Sequence, residues 1–148
     1  MAWRSPPRLL VGLDPGISTG MAVLDQRAAA PMRVHTLDFW QTTEYLRELH
    51  ETHGPALLVL IEDPNLNRSL YARFDEVAGA RRTKIAQNVG ANKRDAQLLL
   101  AFCARLGIET QAVAPLGKLD AALFAKLTGI KQCSQHARDA GRLLLARG

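Results

Sequence analysis

Residues 9–25 of the chain read LLVGLDPGISTGMAVLD. Leu9–Leu13, all apolar or glycine, lead directly to a carboxylate, Asp14, and after the short stretch GIST a second apolar run returns through residues 20–25. Residues 8–14 read as a buried strand, GIST as a turn, and residues 20–25 as a second strand pairing antiparallel with the first. A carboxylate at the rim of a core is costly unless something meets it. Three partners are open to Asp14: a neighbouring Arg or Lys, a metal ion, or the backbone N–H groups of the turn that follows.

Outward from this hairpin, residues 33–39 (RVHTLDF) alternate and predict a third strand. From Gln41 to His53 the pattern turns helical, with Tyr45, Leu46 and Leu49 on one side, and HGP ends it before the apolar run ALLVLIE. Glu62 closes that run as Asp14 closes the first. Residues 63–86 read as polar and irregular. Asn92 to Leu106 predicts a strong helix with Asn92 as its cap, Ala96, Leu99, Phe102, Cys103 and Leu106 facing inward, and Gly107 as its stop. A fifth strand, ETQAV, follows, then helices over roughly 118–128 and 134–146, the second capped by Ser134. The expected fold class is α/β: a five-stranded mixed sheet, a three-strand antiparallel meander plus parallel strands, flanked by helices.

At 148 residues, 47% of them apolar, the chain fits one domain spanning residues 1–148. No apolar stretch approaches the roughly 20 residues of a membrane span, and MAWRSPPR lacks a signal-peptide apolar segment, so a soluble, cytoplasmic protein is expected. Cys103 and Cys133 have no metal-ligand spacing and are expected to be reduced and inert. The net charge of +5 is unevenly spread: residues 1–62 carry 5 basic and 7 acidic side chains, residues 63–148 carry 14 and 7. Between Arg68 and Arg94 stand seven basic residues against only Asp75 and Glu76. Such a segment suits a polyanion, and composition points to nucleic acid.

The element order is compatible with few folds, among them the ribonuclease H-like fold. GLDPGISTG at the first strand, IED closing the fourth and HARDA on the last helix resemble the motifs of RuvC-type Holliday junction resolvases, over nearly the whole chain from Leu9 to Leu145. If the order holds, Asp14 and Glu62 end neighbouring parallel strands at the same edge. Asp139 and His136 project from one face of the last helix near its start, and Gly141 is expected to ease packing of that face on the sheet. Three anions at one rim repel, and hard divalent cations are the usual remedy. The resemblance implies Mg²⁺ or Mn²⁺, two ions per site, held by Asp14, Glu62, His136 and Asp139, with Asp14 bridging. Many resolvases carry an acidic residue where His136 stands. A neutral imidazole there can ligate or relay a proton and suits Mn²⁺ better than Mg²⁺.

The segment Asp63–Asn88 is too long for an ordinary connection. Arg68, Tyr71, Arg73 and Phe74 interleave charge with aromatic groups, the pairing that grips phosphates and stacks on exposed bases, and Arg81, Arg82 and Lys84 extend the basic run. Lys118 resembles a basic residue of the family that approaches substrate phosphates, and Asn92 and Lys93 are further candidates. The resemblance implies a homodimeric endonuclease that resolves four-way junctions in branched DNA by paired nicks. Flaps, forks and RNA–DNA hybrids remain open as substrates, as does a non-catalytic nucleic-acid-binding domain. DPGISTG also resembles the phosphate loop of the actin and hexokinase group, but that group needs two such domains around its nucleotide.

Overall fold

The computed structural model of the chain describes residues 6–66 and 79–147, with side chains over the same ranges except residues 79–89. Five strands form one sheet: β1 (Leu9–Asp14), β2 (Thr19–Asp25), β3 (Arg33–Leu37), β4 (Leu57–Glu62) and β5 (Glu109–Val113), in the order β3-β2-β1-β4-β5. β1 and β2 form the expected antiparallel hairpin, with Asp14 opposite Gly20, and β3 adds antiparallel to β2. β4 lies parallel to β1, Leu13 opposite Ile61, and β5 lies parallel to β4. The mixed sheet expected from the sequence is therefore present, and Asp14 and Glu62 end adjacent strands at one edge.

Among the described residues four α-helices cover the sheet: α1 (Phe39–His53), α2 (Gly79–Leu106), α3 (Ala121–Thr128) and α4 (Gln135–Arg147). β1 and β4 are apolar throughout because both their faces are buried. The odd-numbered side chains Leu9, Val11, Leu13, Leu57, Val59 and Ile61 pack with Leu46 of α1 and Ala96, Leu99 and Cys103 of α2. The even-numbered Leu10, Leu58 and Leu60 pack on the opposite face with Phe124 of α3 and Ala140 and Leu144 of α4. Cys103 is fully enclosed, and burial pushes its thiol up to about 12, so it stays protonated and unreactive.

α4 approaches the sheet unusually closely. A Cβ on Gly12 would overlap the carbonyl oxygen of Ala140, and one on Gly20 would overlap that of His136. Two glycines in adjacent strands thus let helix backbone rest on sheet backbone. Gly141, expected to face the sheet, instead meets the ring of Phe124 and the sulfur of Met32. The sheet supplies the missing side chains, and the helix does not.

Several boundaries depart from the sequence reading. β3 ends at Leu37 because Asp38 caps α1: its carboxylate accepts from the Gln41 N–H while the Gln41 side chain accepts from the Asp38 N–H, a reciprocal pair that draws Phe39 and Trp40 into the helix. α2 begins at Gly79, so Asn92 lies inside the helix and does not cap it. α3 begins at Ala121, capped by Asp120, whose carboxylate accepts from the Leu123 N–H, which leaves Lys118 in the preceding loop. Ser134 caps α4 as expected, its hydroxyl accepting from the Ala137 N–H at 3.0 Å.

Candidate active site

β1, β4 and β5 run in the same direction, so the residues following all three emerge at one edge, and the first turn of α4 lies across it. Pro15, Pro64 and Pro115 follow these strand ends and wall a cleft of about 480 Å³. Asp14, Glu62, Asn92, Lys118, Gln135, His136 and Asp139 also line it. The four residues singled out as metal ligands, together with Asn92 and Lys118, therefore converge on one cavity.

Asp14 is largely enclosed, its side chain 15% exposed, and it meets His136: the His136 Nδ1 stands 3.1 Å from the Asp14 Oδ2. Among the described residues no Lys or Arg forms an ion pair with Asp14, Glu62 or Asp139, and the turn after Asp14 donates no N–H to its carboxylate. Burial raises the Asp14 carboxyl above its usual range. The charge of Asp139 adds to this, against the hydrogen bond from His136 and the more distant charge of Lys118. Glu62 is pushed up to about 7, first by burial and then by the charges of Asp14 and Asp139. Three carboxylates thus act on one another in a half-dry cleft where Lys118 offsets them weakly.

The donor set, three carboxylates and an imidazole, has the chemistry of a site for a hard divalent cation, and the raised carboxyls mark the repulsion that such an ion relieves. Its geometry is open. Among the described residues no three of these side chains stand close enough together to form a closed ligand cluster.

Gly16 separates two of the lining side chains: a Cβ there would come 3.6 Å from the Asn92 Oδ1 and 3.9 Å from the His136 Cε1. Lys93 follows Asn92 on α2 but does not line the cleft. Arg68, Tyr71, Arg73 and Phe74 lie outside the described residues, as do the side chains of Arg81, Arg82 and Lys84. Gln135 escapes a search for charged and metal-ligating residues. It lines the cleft and donates from Nε2 to the Asp139 Oδ1 at 2.8 Å. The four-residue spacing of Gln135 and Asp139 on a helix was the available signal.

A solved structure of T. thermophilus RuvC in complex with Holliday junction substrate aligns with the chain at a TM-score of 0.53 and 18% identity, covering 90% of this chain and 88% of that one. The chain has the RuvC fold. No protein-family model matches it, and neither does any curated protein sequence. Within the RuvC fold the long helix α2 runs back from the cleft edge toward the start of β5. It begins thirteen residues before Asn92, a stretch of ~20 Å at the rise of an α-helix, so the fold carries helical backbone past the cleft. That stretch bears Arg81, Arg82 and Lys84 in its sequence.

Proposed function

We propose that the chain is a divalent-metal-dependent endonuclease that hydrolyses phosphodiester bonds in branched DNA and resolves Holliday junctions by paired nicks. One observation carries the proposal: Asp14 and Glu62 at the ends of adjacent parallel strands, with His136 and Asp139 laid across them by α4, in a cleft where the carboxyls are raised by burial and mutual repulsion. The RuvC fold supports it, as does the solved RuvC complex with a Holliday junction. A basic C-terminal part, with the run Arg68–Arg94 beside the cleft in sequence, supports a polyanionic substrate.

Asp14, Glu62, His136 and Asp139 would hold Mg²⁺ or Mn²⁺, two ions in the full site. When bound, such ions activate water and stabilise the leaving oxygen of an in-line displacement. The chain's own groups have separate tasks. Lys118, the one Lys or Arg lining the cleft among the described residues, attracts a phosphate to it. His136 has its Nδ1 on Asp14, which leaves Nε2 as the ring nitrogen available either to ligate an ion or to relay a proton. Gly12 and Gly20 set the height of α4 and with it the positions of His136 and Asp139 above the strand ends. Arg68, Arg73, Arg81, Arg82, Lys84, Asn92 and Lys93 are assigned to phosphate contacts, and Tyr71 and Phe74 to stacking on bases exposed at the crossover. Residues 1–148 form one nuclease domain in this reading, and two copies act as a homodimer because symmetric nicks need two sites related by a twofold axis.

The test is incubation of the protein with a synthetic four-way junction, duplex, flap, fork and RNA–DNA hybrid in Mg²⁺, Mn²⁺ or chelator. Paired symmetric nicks confined to the junction and abolished by chelator are expected. Cleavage of flaps or hybrids in preference to junctions would reassign the substrate, and binding without cleavage in either metal would make the chain a non-catalytic binding domain.

A further inference from the structure

Within the first turn of α4, three side chains form a chain of hydrogen bonds. Arg138 donates from Nη2 to the Gln135 Oε1 at 2.5 Å, and Gln135 donates from Nε2 to the Asp139 Oδ1 at 2.8 Å. The guanidinium carries only donors, so it fixes which end of the Gln135 amide is oxygen and turns the N–H end toward Asp139. The Arg138 Nε is buried without a partner among the described residues.

We infer that Gln135 is a positioning residue for Asp139, holding one carboxylate oxygen so that the other is the one presented to a cation in the cleft, with Arg138 holding Gln135. The inference rests on the metal-dependent reading proposed above. Its physical basis is the repulsion at the rim. Asp139 faces the negative charges of Asp14 and Glu62, and a half-buried aspartate near the start of a helix relieves such repulsion by rotating toward solvent. The Gln135 N–H opposes that rotation through a charge-assisted bond, and because Oδ1 is engaged, ligation through Oδ2 alone is favoured over chelation by both oxygens. Partners that orient a ligating carboxylate in this way alter metal affinity without touching the metal. A Gln–Asp pair four residues apart could instead serve only to stabilise the helix, and that role predicts a change in melting temperature alone.

The experiment is a Mn²⁺ titration of the whole chain without DNA, followed by the electron paramagnetic resonance signal of free Mn²⁺. It is performed on wild type, Gln135→Met, Arg138→Met and the double variant. Methionine keeps the length of glutamine and removes both hydrogen bonds. Gln135→Met should weaken Mn²⁺ binding about tenfold, the lower end of what loss of an orienting partner costs. Arg138→Met should weaken it in the same direction, and the double variant should bind no more weakly than Gln135→Met, because the two residues act in series. A folded Gln135→Met that binds Mn²⁺ as tightly as wild type overturns the inference, as do effects that add in the double variant. Should Gln135→Met lose its helical circular dichroism, Gln135→Ala, with a better helix former, faces the same criterion. Wild type that takes up no Mn²⁺ overturns the metal-dependent reading and this inference together, whereas equal binding by wild type and Gln135→Met overturns this inference alone.

Discussion

Gly20 of β2 lies against the backbone of His136 with no room for a side chain between them: a Cβ on Gly20 would occupy the space of the His136 carbonyl. The obstructing atoms are helix backbone, which cannot rotate aside as a side chain can. Gly20→Ala should therefore lift the start of α4 from the sheet, destabilise the fold by roughly 1–3 kcal/mol, and reduce cleavage by more than the loss of stability explains. Chemical denaturation and junction cleavage measured on the same preparation check both effects. A Gly90→Ala control, at a helical glycine with open space around it, should leave cleavage intact.

Asp14→Asn, Glu62→Gln and Asp139→Asn should each lower junction cleavage by on the order of 10²-fold or more, the scale of removing a group that stabilises transition-state charge. Junction binding in chelator should persist or tighten, because each change removes a negative charge facing a polyanion. Gel-shift and cleavage assays read the two effects separately. Wild-type cleavage by all three would remove this cleft from the chemistry.

The Glu62 carboxyl, ordinarily near 4.5, is pushed up to about 7 in the folded chain. Between these values the folded state binds the proton more tightly than the unfolded state does. In chelator, the stability contributed by this group is fully present below pH 4.5 and is lost as pH rises through 7. Allowing for the partial exposure of the carboxyl to solvent, the loss is roughly 1–2 kcal/mol. Urea unfolding of wild type and Glu62→Gln at pH 5 and pH 8 isolates it: the wild type should lose stability relative to the variant at the higher pH, and Mn²⁺ should restore it.

His136 stands on Asp14 with its side chain 49% exposed, so it is accessible to solvent and to substrate. His136→Asp replaces a nitrogen donor by a hard oxygen donor and should keep cleavage while shifting its preference from Mn²⁺ toward Mg²⁺. Rates of both variants in each metal decide the point. Equal rates for His136→Ala and wild type in both metals would show that the imidazole only pairs with Asp14.

Lys118 is the one Lys or Arg lining the cleft among the described residues. If it contacts a phosphate there, Lys118→Ala should lower the slope of log K against log salt by roughly 0.9 on duplex-like arms. An unchanged slope would show that the lysine is merely solvated at the rim.

The two elements that decide the fold were legible because their signals are local. β1 and β4 are unbroken apolar runs ended by a carboxylate, and each reads as a doubly covered parallel strand without reference to the rest of the chain. The same property made Asp14 and Glu62 legible as a pair once β4 was placed beside β1. The first thirteen residues of α2 were not legible. In its sequence Arg81, Arg82, Lys84, Asn88 and a helix-weakening glycine, Gly90, interrupt the apolar period by which a helix is read. The roles of Gly12 and Gly20 were hidden for a different reason. A glycine in a strand announces close approach but not what approaches, and here it is a helix more than a hundred residues further on.

That separation has a consequence for how the chain is made. His136 and Asp14 stand 122 residues apart in sequence. A nascent chain that has completed the hairpin and β4 but not α4 holds two of the four site residues and lacks the cover that Ala140 and Leu144 give to Leu10, Leu58 and Leu60. Such a chain lacks half of the candidate site, and its incompletely covered apolar sheet face is a hazard for self-association. Docking of α4 ends both conditions in one step, so the candidate site and the closed sheet face arise together.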